Sequence, residues 1–308
     1  MPTPWGWMMA GRMGNIGRIK TMPTLNQSAP AAAPSKASSD SSHWYSYDAT
    51  AGWQPLYTPE KNYTLREARV DQAAGMVVVP SVTTIMKALN KPQLTNWLME
   101  QVAEAAYVQH VLPPGVWDKD AFIEQAIDTA NNSSKGAMDL GTRIHKAIED
   151  AIAGNDWDAA LDEYVQPVLA ERRNRLVTQS VQEACLGSTK YGYAGRCDDY
   201  SDDGMVIRDY KSRKSKGKKV ASYETDPLQL AAYGYARWGN PFFKEGRGEI
   251  WGISTTQPGL LTVHEFTGKE LIPAFTAFLA LCDVWRFTNN FDARVNISGQ
   301  PRAKRVVL

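Results

Sequence analysis

"GRCDDYSDDGMVIRDYKSRKSKGKK", residues 195–219, crowds five aspartates into the twelve positions 198–209 and then turns basic: Arg208 to Lys219 holds seven Lys or Arg residues and one acid. Its first half has the alternation of two short strands joined by "SDDG". Asp203-Gly204 is a favoured pair for a two-residue type I' hairpin turn. If that turn is used, Asp198 lies directly opposite Asp209, two carboxylates at about 5 Å, which is unfavourable unless a cation sits between them or one is protonated. Lys211 follows two residues after Asp209 and shares its face, while Tyr210 points away. Two acids and an ammonium then surround one point. Hard oxygen donors of this kind suit Mg²⁺ or Mn²⁺, which polarise a phosphodiester and lower the pKa of a bound water, and the lysine can stabilise developing charge. A solvated acidic turn with lysines nearby accounts equally for these residues alone, and it is the expected role of Asp199, Asp202 and Asp203.

Outward from this stretch, "VQEACL" (181–186) reads as the neighbouring strand and offers Glu183 as an additional carboxylate. Downstream, "DPLQLAAYGYARWG" (226–239) reads as a helix with Asp226 as N-cap, Pro227 in its first turn and Gly239 as its stop. Gln229 and Tyr233 lie four apart on one face of it. Upstream, Leu140, Ile144, Ala147, Ile148 and Ala151 form the buried stripe of a helix over 136–153 that ends at Gly154. It carries "GTRIH", in which Gly141 and His145 share a face beside the apolar stripe. A half-buried histidine satisfied by a neighbour explains His145 by itself; carboxylates converging on it would change that. Earlier still, "VVVPSVTTIMKAL" passes from a β-branched run to a Ser-initiated helix, and Leu94, Trp97, Leu98, Val102 and Ala105 predict a helix over 92–108. "GEIWGISTT" and "LLTVHEF" predict two late strands, and 268–288 a closing helix. His264 is expected to be structural.

Composition bounds the answer. The 308 residues are 43% apolar and 22% charged with a formal charge of +1, enough for one large domain with a substantial core. No apolar stretch approaches the roughly 18–20 residues of a membrane span. Three scattered cysteines cannot form a four-cysteine zinc or iron–sulfur site and do not suggest a disulfide framework. Four histidines with no HxxxH spacing argue against a zinc hydrolase. Residues 1–42 lack any acid before Asp40 and are rich in small and polar residues, the composition of a disordered tail. An interrupted apolar content excludes a secretory signal, and an organelle transit peptide is the alternative to a plain tail.

The order "GTRIH", Glu183, "GRCD", "DYK" and "QLAAY" resembles the RecB-like branch of the PD-(D/E)XK nuclease superfamily, which shows GxxxH, an acidic strand, GxxD, DxK and QxxxY. The segment 63–101 is similar to the one preceding the core in bacteriophage exonucleases of this group, and mitochondrial genome maintenance exonuclease is a more distant likeness. Cys197 and "DYKSRK" depart from the commonest forms.

The resemblance implies an α/β, restriction-endonuclease-like core with a central mixed sheet flanked by helices and an added N-terminal helical region. It implies one domain over 43–308, with a helical lead-in at 80–135 and the catalytic core at about 136–290. It implies His145, Asp198, Asp209 and the Tyr210 carbonyl as ligands of Mg²⁺ or Mn²⁺, Glu183 as a supporting carboxylate, Lys211 as the catalytic lysine, and Gln229 and Tyr233 as positioning residues. Arg143, Arg213, Lys214, Lys216, Lys218 and Lys219 would contact DNA, for which a solvated basic loop is the alternative. The expected activity is exonucleolytic cleavage from DNA ends, phage-encoded and used in recombination, repair or DNA breakdown, in the cytoplasm of a bacterial host, with a mitochondrial setting as the alternative. A single-strand-binding protein or a recombinase is the kind of partner such a nuclease works beside, and no membrane is involved. A structure-specific or flap endonuclease on the same fold, or a DNA-binding protein with a vestigial site, is the competing expectation.

Overall fold

Five strands form the sheet on which the candidate residues sit: β4 (Val181–Ser188), β5 (Tyr193–Ser201), β6 (Val206–Arg213), β7 (Arg247–Ser254) and β8 (Leu261–Thr267), side by side in that order. The structure is a computed structural model, and it describes residues 43–56, 62–89, 92–111 and 119–294. β4, β5 and β6 are successive antiparallel neighbours, β6 and β7 are parallel, and β8 returns antiparallel. The parallel pair requires a crossover. Helix α6 (Asp226–Trp238) supplies it, with Pro227 in its first turn and Gly239 at φ +66° ending it, followed by the short α7 (Phe242–Glu245).

The two faces of the sheet bury separate cores. On one, Tyr210, Trp251 and Ile253 pack with Ile144, Ala147 and Ile148 of α4 (Lys119–Ala153) and with Val165 and Val168 of α5 (Asp162–Asn174). On the other, Tyr193, Cys197, Ile207 and Ile250 pack with Leu230 and Tyr233 of α6 and with Phe275 and Phe278 of α8 (Ile272–Asn289). This is the mixed sheet flanked by helices that the sequence predicts.

Ahead of the helices predicted over 80–135, the N-terminal addition holds a small sheet. β1 (Trp44–Asp48), β2 (Gly52–Pro55) and β3 (Val78–Pro80) form a second, antiparallel sheet, joined by α1 (Leu65–Ala73) and α2 (Val82–Met86). Thr64 and Glu67 make a reciprocal capping box on α1, and Ser81 starts α2 as predicted. The buried rings of Trp44 and Tyr45 anchor this sheet to the second core. α3 (Pro92–Val111) covers the predicted 92–108.

α4 starts seventeen residues before the predicted 136. The run Asn131-Asn132-Ser133-Ser134 and Gly136 disfavour helix by less than about 1 kcal/mol each. Buried Ala126 and Ala130, on a helix that runs alongside α3, outweigh them. α5 was not foreseen at all, since Pro167 sits inside it, yet Val165 and Val168 on either side are fully buried. The predicted tail 1–42 and the last residues 295–308 lie outside the described residues. Among the described residues, no helix is long and apolar enough to cross a membrane.

Candidate active site

The site is built where two strands part. β5 and β6 pair at Ser201↔Val206, Tyr200↔Ile207 and Asp199↔Arg208, the register expected from the Asp203-Gly204 reversal. The turn itself differs. The positive φ angles fall on Gly204 (+72°) and Met205 (+48°), not on Asp203 and Gly204 as a type I' turn requires. Beyond Asp199 the pairing stops, although β5 continues beside β4 and β6 beside β7 through Arg213↔Ser254. A fork opens, and the Tyr210 N–H that faces it donates to Asp198 Oδ2 at 2.8 Å. Asp198 is therefore opposite Asp209 in register but not in the ladder: its carboxylate enters the fork to satisfy β6.

A break in alternation accompanies the fork. Cys197 and Ala184 pack on the α6 side, whereas Asp199, two residues on, is bonded to Arg172 of α5 on the other side. Residues two apart on a regular strand share a face. The change occurs at Asp198 and, on β4, at Glu183, whose φ of +52° lies in the left-handed region that a side chain rarely adopts.

Asp209 and Lys211 share a face as the sequence predicts, with Lys211 Nζ 2.6 Å from Asp209 Oδ2. Asp209 is buried, and the Lys211 ammonium is the cation beside its Oδ2. Burial raises the Asp209 carboxyl to about 7, Lys211 opposes that, and Asp198 adds to it. Burial pulls the Lys211 ammonium down, but the charges of Asp209 and Asp198 outweigh it and hold the group above its ordinary value. Gln229 Oε1 accepts from Lys211 Nζ at 3.2 Å, so α6 completes the lysine's surroundings.

His145 reaches the fork from α4. Its Nδ1 lies 3.8 Å from Asp198 Oδ2, and its ring stands edge-on to Tyr210 at 6.3 Å between centroids. Burial holds the imidazole below its ordinary pKa, with Asp198 and the Tyr210 backbone partly compensating. A Cβ at Gly141 would meet Ser212 Oγ at 3.6 Å, an ordinary contact, so α4 passes close over the end of β6. Glu183 borders the same small cavity as His145, Glu149 and Asp198. Burial, reinforced by Asp198, raises its carboxyl to about 7, although Arg196 Nε pairs with it at 2.9 Å.

Tyr233 does not enter the fork. It is buried against Gly195, where a Cβ would lie 2.6 Å from its Oη. The Gly of "GRCD" and the Tyr of "QLAAY" are thus two halves of one packing contact.

The basic residues divide. Lys214, Lys216, Lys218 and Lys219 are exposed on the loop after β6, which the Lys216 N–H closes on the Lys219 carbonyl at 3.1 Å. Arg213 is engaged elsewhere: it makes two hydrogen bonds, at 2.7 and 2.8 Å, to the buried Asp226 and lies over the Tyr223 ring. Arg143 is exposed and pairs with Asp158 at 2.7 Å. Asp226 is the first residue of α6 and not its N-cap, and it accepts from Arg213, Ser222 and the Tyr223 N–H. His264 Nε2 bonds the Val220 carbonyl at 2.7 Å, a structural contact as expected.

Asp199, read as part of a solvated turn, is fully buried among Arg172, Arg208, Ser180 and the Tyr210 hydroxyl. Arg208 extends the network to Glu249, which also accepts from Trp251. Arg208, in the middle of the strand "VIRDY", was the available signal: an arginine at a core-facing position needs a buried acid.

Among the described residues, no three His, Cys, Asp or Glu side chains approach one point closely enough to enclose an ion. The donor types present, the carboxylates of Asp198 and Asp209 and an imidazole 3.8 Å from Asp198 Oδ2, are nevertheless among those a hard divalent cation accepts.

Comparison with known proteins identifies a family. A family model described as the PD-(D/E)XK nuclease superfamily matches residues 98–296, more than half of the chain. No curated protein matches. Eleven chains of solved structures are similar to it. One of them, described as "Crystal structure of SSO0001", is 14% identical and aligns with 61% of this chain and 86% of its own at a TM-score of 0.28, too low to carry an argument. On the family match, the chain belongs to the PD-(D/E)XK nuclease superfamily.

Proposed function

From that membership, we propose that the protein is a divalent-metal-dependent deoxyribonuclease of the RecB-like branch that hydrolyses phosphodiester bonds from DNA ends, phage-encoded and used in recombination, repair or DNA breakdown. PD-(D/E)XK nucleases typically use divalent metals. Asp198, Asp209, the Tyr210 carbonyl and His145 would hold Mg²⁺ or Mn²⁺, with Glu183 as an additional carboxylate. Such an ion supplies Lewis-acid polarisation of the scissile phosphate and a more acidic water. The protein's own part is to orient the lysine. Lys211, fixed by Asp209 and Gln229, keeps its proton and presents a cation to charge developing on phosphate oxygens. The exposed lysines 214–219 leave β6 immediately after this group and supply backbone contacts without sequence reading, and Arg143 on α4 would add one more.

The single observation that carries this reading is the fork, which brings residues from α4, β5, β6 and α6 to one buried acid–lysine pair. Linear DNA, single- and double-stranded and labelled at either terminus, should be degraded from an end in Mg²⁺ or Mn²⁺ and not in chelator, and closed circular DNA should survive. Undiminished cleavage by Asp209→Ala or Lys211→Ala would overturn the site assignment. Cutting of the closed circle would identify an endonuclease instead, and persistent DNA binding with no cleavage in either metal would identify a binding protein.

A further inference from the structure

We propose that the Tyr210 side chain is a positioning residue for the metal-binding groups, held in place from behind the sheet by Arg172 and Asp199. The inference rests on the nuclease reading above and adds to it side chains that touch neither DNA nor metal.

The middle residue of "DYK" joins two environments. Its backbone faces the fork, where the N–H fixes Asp198 Oδ2 at 2.8 Å and the carbonyl stands beside His145. Its side chain points the other way into the first core, edge-on to both His145 and Trp251, at 6.3 and 5.9 Å between centroids. At the far end of the ring, the hydroxyl accepts from Arg172 Nη1 at 3.1 Å and donates to Asp199 Oδ2 at 3.3 Å. Arg172 also pairs with Asp199 and donates to Ser180 Oγ at 2.7 Å, and Arg208 holds the other Asp199 oxygen at 2.9 Å.

This anchoring matters because β5 has stopped pairing with β6 at Tyr210. One edge of the strand there is held by the side chains of Asp198 and His145 in place of a neighbouring strand, and β7 supports the other. A strand free on one edge can shift or twist, and the position of Asp198, the carbonyl and Asp209 would shift with it. The phenol tied to a fully buried, four-partner carboxylate removes that freedom, and its ring limits the tilt of His145. Misplacement of catalytic groups by about 1 Å costs on the order of 100-fold in rate.

Tyr210→Phe keeps the ring and removes only the tether, leaving Asp199 its bonds to Arg172, Arg208 and Ser180. Titration of the DNA-free protein with Mn²⁺ alone should give about tenfold weaker binding than in the wild type. Steady-state cleavage should show kcat lowered about 10- to 100-fold with KM for DNA within about twofold. Thermal unfolding should begin from a fully folded protein. Should Tyr210→Phe not fold, Arg172→Lys removes the bond to the hydroxyl while keeping a cation beside Asp199, and the same pattern is expected. Wild-type Mn²⁺ binding and wild-type kcat in a folded variant would overturn the positioning role while leaving the nuclease reading intact. A wild-type protein that neither binds Mn²⁺ nor cleaves DNA would instead overturn that reading and this inference with it.

Discussion

Gly195→Ala should destabilise the protein through one identifiable contact. The backbone of Gly195 is not in the left-handed region, so alanine faces no conformational barrier there and would even gain about 0.5–1 kcal/mol over glycine within a strand. The space is the obstacle. A Cβ would sit 2.6 Å from Tyr233 Oη, 2.9 Å from Cε1 and 3.2 Å from Cζ, all inside the roughly 3.5–4.0 Å at which such atoms attract. Tyr233 is 3% exposed and has nowhere to swing, so β5 or α6 must give way. Overpacking of this kind costs about 1–3 kcal/mol, leaving a net loss of about 1–2 kcal/mol. Tyr233→Phe removes the nearest atom but keeps the ring edge at 2.9 Å, so Gly195→Ala in that background should cost about 0.5–1 kcal/mol less. Urea unfolding of the four proteins in this cycle measures both values. Because Asp198 lies three residues along β5, cleavage should fall further than the folded fraction does. Gly195→Ala as stable as the wild type, or equally costly in both backgrounds, would refute the contact.

Lys211→Met should abolish cleavage, by at least about 100-fold, while DNA binding in chelator stays within a few-fold. Its stability cost should grow between pH 6 and 8, because Asp209, already raised to about 7, must then ionise with no ammonium beside it; a cost independent of pH would contradict the pairing. Glu183 should make the metal-free protein less stable as pH rises. Its folded-state value of about 7 exceeds the ordinary 4.5, so proton binding favours the fold fully below about pH 4.5, and the benefit disappears as pH passes 7. Glu183→Gln in EDTA should therefore flatten the decline of Tm between pH 5 and 8, and an unchanged slope would exclude the assignment. Replacing Lys216, Lys218 and Lys219 with alanine should lower the slope of log K against log salt by roughly 2–3 with kcat at saturating DNA unchanged. Arg213→Ala should instead lower Tm, by about 3 kcal/mol of stability, since it leaves Asp226 buried and uncompensated.

The parts of this molecule legible in its sequence are those set by short-range rules. The shared face of Asp209 and Lys211 follows from alternation along one strand, and Ser81, Pro227 and Gly239 mark helix ends through local backbone chemistry. The register of β5 on β6 followed from the Asp203-Gly204 reversal even though the turn adopts other angles. What escaped reading depends on partners distant in the chain. Asp199 differs from Asp202 only in what stands opposite: Arg172, 27 residues away, and Arg208 bury the one, while Arg237 and Trp238 hold the other at the surface. Arg213 looks like its lysine neighbours until Asp226 is placed beside it. The fork itself has no local signature, because it arises where β6, paired with β7 along its whole length, loses β5 from its other edge and Glu183 takes a backbone conformation foreign to its residue type.

The gathering of aspartates in 198–209 is then a consequence of strand geometry at a parting pair. A regular hairpin would place Asp198 and Asp209 face to face and leave them to repel. Ending the ladder at Asp199 turns Asp198 toward an unpaired N–H and leaves Asp209 with Lys211, so each acid meets a different compensating group. The reversal of facing at the same point sends Asp199 to the opposite side of the sheet, where two arginines neutralise it. Asp202, paired with Arg237, and Asp203, at the tip, remain exposed turn residues. A near-neutral chain can concentrate charge in this way because each carboxylate is assigned its own partner. The partition ends at Asp209 Oδ2, whose compensating cation is the Lys211 ammonium 2.6 Å away.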